Sequence, residues 1–174
     1  SGVVPGIVLF KLFEKSLGDF PYSYDFTSKE WNDNITSIVP LVGLLVTLAS
    51  CYRLANFNID SRQTESFIGL PTPANTLFIL SLPMILLTND VAWVNDLILN
   101  PWFLVGLTLF SCYMLNAEIP LFSLKMKTYG FKENAVKYVF LIISVVMLIL
   151  LQFMAIPLII VLYVLISLFM NLKK

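Results

Sequence analysis

Histidine is absent from this 174-residue sequence, and charged residues make up only 13% of it. Without histidine, the chain can form neither a Ser-His or Cys-His catalytic pair nor a His-ligated zinc site. The net charge of zero provides no overall electrostatic attraction to nucleic acid. The two cysteines, Cys51 and Cys112, lie at or near the ends of apolar runs, which predicts small buried side chains rather than a disulfide. Any chemistry therefore rests on carboxylates, hydroxyls, amides, lysine, arginine or an imported metal ion.

Hydrophobic residues make up 58% of the chain, more than a soluble domain of this size can bury, so the bilayer is the expected solvent. Charge-free runs mark the crossings, because a helix needs roughly 20 residues to cross the hydrocarbon. The run at 138–172 is too long for one crossing, and Gln152 and Pro157 predict a tight turn within it. We predict an all-α, polytopic transmembrane helical bundle of about six spans, with the first truncated, at residues 1–17, 35–56, 71–88, 99–116, 136–153 and 156–171.

The first apolar segment is unusually short. Ten uncharged residues precede Lys11, and as a helix they reach about 15 Å, half of the hydrocarbon thickness. No basic residues precede the segment, so it is not a secretory signal peptide. We expect it to be the outer half of a helix whose beginning is missing, and the chain to be a fragment.

The charges between the runs predict the orientation. Eight basic residues fall on one side of the predicted membrane, and three fall on the other side with most of the acidic residues. Since cytoplasmic loops carry an excess of lysine and arginine, the eight mark the cytoplasm: Arg53, Arg62, Lys125, Lys127, Lys132, Lys137, Lys173 and Lys174. The carboxyl terminus is therefore predicted to be cytoplasmic.

The densest polar cluster, at 51–75, separates two apolar runs. Arg53 follows an 18-residue apolar run within a helix that we expect to continue past it. Such an arginine either snorkels to lipid phosphate or offers a bidentate fork to a phosphate or carboxylate. Pro73 predicts a helix start that places Thr72 and Asn75 in its first turn, where free N–H groups suit anions. Together these residues predict a cytoplasmic pocket for an anionic headgroup.

Two segments of this cluster carry a family resemblance. The sequences RLANFN at 53–58 and FIGLPTPA at 67–74 resemble the second half of phosphatidylserine synthases, which belong to the CDP-alcohol phosphatidyltransferase family. The opening SGVVPG at 1–6 is similar to the segment after that family's catalytic motif. Asn56 departs from the family, which usually has a second arginine there. The resemblance implies a substrate-binding set of Arg53, Asn56, Asn58, Arg62, Thr72 and Asn75.

The resemblance also implies the reaction. It is the transfer of a phosphatidyl group from CDP-diacylglycerol to L-serine, giving phosphatidylserine and CMP, with Mg²⁺ or Mn²⁺ held by aspartates. The aspartate signature of the family is absent here, and its last member would lie a few residues before Ser1. We therefore expect no catalytic residue, no metal ligand and no activity in this chain alone.

The expected partners are CDP-diacylglycerol, serine, the lipid bilayer and a second copy in a homodimer, in a multi-pass protein of a bacterial inner membrane. Three alternatives stay open from the sequence. The acceptor can be glycerol phosphate or inositol phosphate, although these phosphorylated acceptors favour more than one arginine. From other classes, the chain can be part of a transporter, which would have helices broken by proline and glycine at midplane, or a membrane scaffold.

Overall fold

The structure, a computed structural model, describes residues 1–17, 39–59, 67–88, 90–121 and 131–172. These residues are mostly helical, as predicted. A 3₁₀ segment at Val39–Leu44 leads into the second helix, and another at Gln152–Met154 separates the last two. The helices are α1 (Val3–Ser16), α2 (Leu45–Ile59), α3 (Thr72–Thr88), α4 (Ala92–Ile98), α5 (Pro101–Asn116), α6 (Phe131–Leu151) and α7 (Ala155–Leu172).

Two stretches among the described residues are long and apolar enough to cross a membrane: Val39–Asn58 with 20 residues and Val136–Met170 with 35. The pair α4 and α5, bent by 61° at its junction, makes a third if it is counted as one crossing. Helix α3 is apolar but has 17 residues, or about 25 Å, against roughly 30 Å of hydrocarbon. Helix α1 is shorter still, with 14 residues. The described residues therefore contain two stretches of crossing length, or three with the bent pair, against six predicted crossings.

The bend between α4 and α5 lies where a side chain caps the start of α5. The Asn100 side chain caps α5, since its Oδ1 accepts hydrogen bonds from the N–H groups of Trp102 (2.9 Å) and Phe103 (3.4 Å). Pro101 occupies the first turn, where its missing N–H costs nothing. An uncharged cap therefore begins α5 two residues after the predicted boundary at 99 and separates it from the short helix α4.

The stretch Val136–Met170 folds back on itself. Gln152 has a φ of +48°, which interrupts the right-handed helix, and a 3₁₀ turn follows. The rings of Phe140 and Tyr163 lie with their centroids 6.0 Å apart, whereas a straight helix would separate these residues by about 35 Å. Helices α6 and α7 therefore form an antiparallel hairpin, with the break inside the interval bounded by Gln152 and Pro157.

The core forms where α1 packs closely against the Val39–Leu44 segment and α2. Small residues allow this approach, because a Cβ added at Gly43 would lie 2.7 Å from the backbone nitrogen of Phe10. The Thr47 hydroxyl on α2 donates a 3.1 Å hydrogen bond to the carbonyl of Gly2. Fully buried apolar side chains from α1, α2, α3 and α5 complete the cluster: Leu9, Phe13, Val46, Ile79, Leu104 and Leu115.

The two cysteines are free thiols, as expected, but only one is sheltered. Cys112 is half-buried, whereas Cys51 is exposed. Helical periodicity explains the difference, because Val46 and Ser50, four residues apart, carry the buried face of α2, and Cys51 lies beside that face. The prediction of burial is therefore wrong for Cys51.

Two short strands join distant parts of the chain. Strand β1 (Phe67–Ile68) pairs antiparallel with β2 (Pro120–Leu121), with Phe67 opposite Leu121. This pairing holds the turn that leads into α3 against the C-terminal end of α5.

Candidate functional site

Arg53 lies at the centre of the candidate site. Helix α2 continues past it to Ile59, as predicted, and the side chain is half-buried. Its Nη1 donates a short hydrogen bond to the carbonyl of Leu115, and its Nη2 donates to the carbonyl of Gly69 at 3.3 Å. Arg53 therefore links α2 to the end of α5 and to the turn before α3.

These hydrogen bonds satisfy carbonyls at the end of α5. The last four carbonyls of a helix have no partner within it, and here the N–H of Leu70 donates to Met114 at 2.8 Å while Arg53 donates to Leu115. The amide of Asn116 donates to the carbonyls of Cys112 (3.1 Å) and Ala49 (3.2 Å). A positive charge at a helix C-terminus also complements the helix dipole. Part of the function of Arg53 is thus structural.

Gly69 makes this arrangement possible. It has a φ of +73°, a conformation that side chains with a Cβ rarely adopt. A Cβ at this position would lie 2.6 Å from Nη1 of Arg53 and 2.8 Å from the carbonyl oxygen of Ala117. The N–H of Gly69 also donates to the carbonyl of Ile119 at 2.9 Å. Only glycine both adopts this positive φ readily and leaves room for the Arg53 side chain.

A cavity of about 210 Å³ opens beside the guanidinium. We call it the Arg53 cavity; its lining comprises Arg53, Leu54, Phe57, Pro71, Thr72 and Pro73. A guanidinium has five N–H donors, and Arg53 uses two of them in hydrogen bonds to other described residues. The remaining donors lie on a side chain whose position is already fixed. This geometry suits a carboxylate or phosphate that enters the cavity.

The structure brings together only some of the predicted site residues. Arg53 and Thr72 both line the Arg53 cavity. Asn56 is half-buried and Asn58 is exposed on α2, and neither is among the lining residues. Asn75 is buried and lines a different cavity. Arg62 lies outside the described residues.

The start of α3 offers fewer N–H donors than the sequence suggested. The helix begins at Thr72, and Pro73 in its first turn has no N–H. The N–H of Asn75 is already bonded to the carbonyl of Pro71 at 3.1 Å. The Thr76 hydroxyl donates back to the carbonyl of Thr72 at 2.8 Å. The N–H groups of the helix start are thus partly missing or used, whereas Arg53 keeps N–H donors that are not used in hydrogen bonds to other described residues.

A second cavity, of about 250 Å³, lies between α3, α5 and α7. Its wall is apolar except for Asn75 on α3 and Ser111 on α5, and both residues are 2% exposed. Sequence reasoning missed Ser111. Its only signal in the sequence is that a hydroxyl residue lies inside the apolar run at 97–117. Such residues are too common in membrane helices to identify Ser111 as a site residue.

The described residues do not fit the divalent metal ions that the resemblance implies. They contain no group of three or more His, Cys, Asp or Glu side chains placed to hold an ion. Two-metal phosphoryl transfer needs such clusters. The described part of the chain therefore contains the Arg53 cavity and an apolar cavity, and no such cluster of metal ligands.

Comparison of the chain with protein-family models, with curated proteins and with solved structures found no match in any of the three.

Proposed function

We propose that this chain is a membrane domain of the CDP-alcohol phosphatidyltransferase type, serving the transfer of a phosphatidyl group from CDP-diacylglycerol to L-serine. The observation that carries the proposal is the composition of the Arg53 cavity. All six lining residues belong to the segments 53–58 and 67–74, on which the family resemblance rests. Segments separated along the chain thus form one cavity with a fixed arginine.

Arg53 binds the anionic group of a substrate in this proposal. The hydrogen bonds to Leu115 and Gly69 hold the guanidinium in place, so little side-chain entropy is lost when an anion binds. Partial burial strengthens the attraction between guanidinium and anion, because the effective dielectric constant is lower than in water. The Thr72 hydroxyl in the same wall can donate a further hydrogen bond.

The charge of the cavity favours serine as acceptor. Among the described residues, Arg53 is the one charged residue in the lining, and Asn56, where the family usually has a second arginine, does not line the cavity. Glycerol phosphate and inositol phosphate carry a phosphate, which favours a second cation. One guanidinium matches the single carboxylate of serine or one phosphate of the liponucleotide.

We expect the purified chain alone to release no CMP from CDP-diacylglycerol and serine with Mg²⁺ or Mn²⁺ present. The physical reason is that the described residues cannot hold the two cations that this chemistry uses. A coupled CMP assay on the chain in lipid nanodiscs measures this. Sustained CMP release above that of empty nanodiscs would contradict it.

Binding tests the function independently of turnover. The purified chain in nanodiscs is titrated with radiolabelled CDP-diacylglycerol and, separately, with radiolabelled serine. We expect saturable binding of at least one of them, displaced by the unlabelled compound and, for the liponucleotide, not by diacylglycerol. If neither compound binds saturably to folded protein, the proposal is wrong, and a transporter or scaffold function takes its place.

The proposal includes a multi-pass protein of a bacterial inner membrane with a cytoplasmic C-terminus that acts as a homodimer. The two or three apolar crossings support membrane integration. The orientation rests on the excess of basic residues in one set of loops.

A further inference from the structure

The α3–α5–α7 cavity contains a buried polar group with no partner. Asn75 is 2% exposed, and its Nδ2 has no hydrogen-bond acceptor among the described residues. A buried donor left unpaired costs about 1–3 kcal/mol in protein mutational data. An apolar side chain in this position would avoid that cost, so the donor calls for an acceptor that enters the cavity.

The rest of the cavity indicates what that acceptor is attached to. Apart from Asn75 and Ser111, the lining residues that the structure describes are hydrocarbon and aromatic, and include Leu70, Phe78, Phe110, Met114, Val164 and Leu165. A polar or charged molecule would lose its hydration there without compensation. A flexible apolar chain with one carbonyl near its end matches both the lining and the single donor.

The position of Asn75 agrees with the depth of such a carbonyl. Asn75 lies in the first turn of α3, about 4.5 Å along the helix axis from Thr72, which lines the Arg53 cavity. The cavity extends from there along apolar faces of α5 and α7. Asn75 is buried, so bulk water does not satisfy the donor. In a lipid the ester carbonyl lies where the polar headgroup meets the acyl chain.

We propose that the α3–α5–α7 cavity binds one acyl chain of an ester lipid, with the Asn75 amide donating a hydrogen bond to the ester carbonyl. The site then distinguishes ester lipids from ether lipids, whose chains are equally apolar but lack the carbonyl. This inference does not depend on phosphatidyl transfer, because it uses no step of that reaction.

The test compares two lipids that share a headgroup. The purified full chain in detergent is titrated with a diester phosphatidylcholine and with its diether analogue of the same chain length, and binding is followed by the rise in thermal unfolding temperature. Any contact between Arg53 and the headgroup contributes equally to the binding of both lipids, because they share that headgroup. For wild type we expect the diester to bind about two- to tenfold more tightly, which corresponds to one net hydrogen bond.

Two variants separate ligand binding from folding. Asn75→Leu removes the donor with little change in volume, so the preference for the diester should disappear. Its stability without added lipid should be equal to or higher than that of wild type, because an unpaired buried donor is removed. Ser111→Ala is the control in the same wall and should keep the preference for the diester. Equal binding of both lipids by wild type, or an undiminished preference in Asn75→Leu, would overturn the inference.

Discussion

Arg53 and Gly69 are in close contact at the end of α5, so each restricts which residue types fit at the other position. The guanidinium reaches the carbonyl of Gly69 only because no Cβ intervenes. The sequence singled out Arg53 as an arginine at a membrane boundary. It could not identify Leu115 as the acceptor, because no local pattern connects positions 62 residues apart.

We expect Gly69→Ala to lower the free energy of unfolding by about 1–3 kcal/mol. Alanine is strained at a φ of +73°, and its Cβ would lie 2.6 Å from Nη1 of Arg53. Thermal unfolding followed by circular dichroism in detergent measures the effect.

Gly106→Ala is the matched control for Gly69→Ala. It is the same substitution within α5, where an added Cβ meets nothing within 4 Å. Alanine there should stabilise the helix by roughly 0.5–1 kcal/mol. If Gly69→Ala behaves like Gly106→Ala, the left-handed turn at Gly69 is not present in the protein.

The hairpin of α6 and α7 shows what an apolar pattern can and cannot indicate. The length of the run at 138–172 excluded a single crossing, and Gln152 and Pro157 indicated a turn near its middle. The positive φ at Gln152 follows from no propensity of glutamine. Packing between the two arms, as in the Phe140–Tyr163 contact, selects the turn.

A distance measurement tests the hairpin. Spin labels at Val139→Cys and Leu165→Cys, with both native cysteines replaced by serine, should lie within about 20 Å, because neighbouring helix axes are 8–10 Å apart. Both positions are exposed, so the labels should be tolerated. A straight helix would place them about 39 Å apart. A dipolar spectrum centred near that longer distance would exclude the hairpin.

In the whole molecule, the number of crossings is the largest difference between sequence and structure. The predicted boundaries 71–88 and 99–116 lie within two residues of α3 and α5, because proline and polar residues mark these helix ends. The number was too high because helices of 14 to 17 residues do not reach across roughly 30 Å of hydrocarbon. The candidate site was predicted in part: Arg53 and Thr72 line the same cavity, whereas Asn75, three residues further along α3, lines another one.

Orientation is testable by labelling. Cysteines at Gln63 and Thr128, both outside the described residues, should react with an impermeant thiol reagent only from the cytoplasmic side. A cysteine at Asp90, which is exposed, should react only from the opposite side. The reason is the excess of basic residues in the loops assigned to the cytoplasm. Reaction of Gln63→Cys and Asp90→Cys from the same side would rule out this orientation.

The most direct test of the Arg53 cavity as an anion site is the affinity of the nanodisc-embedded chain for CDP-diacylglycerol and for serine in wild type, Arg53→Lys and Arg53→Ala. A charge-assisted hydrogen bond contributes about 1.5–3 kcal/mol, so both variants should bind one of the two compounds roughly ten- to a hundredfold more weakly. Lysine fails because it keeps the charge and loses the planar fork. Lys11→Ala, which removes a positive charge outside the cavity, should bind as wild type does. If both Arg53 variants remain folded and bind both compounds as wild type does, Arg53 only caps α5, and the cavity is not an anion site.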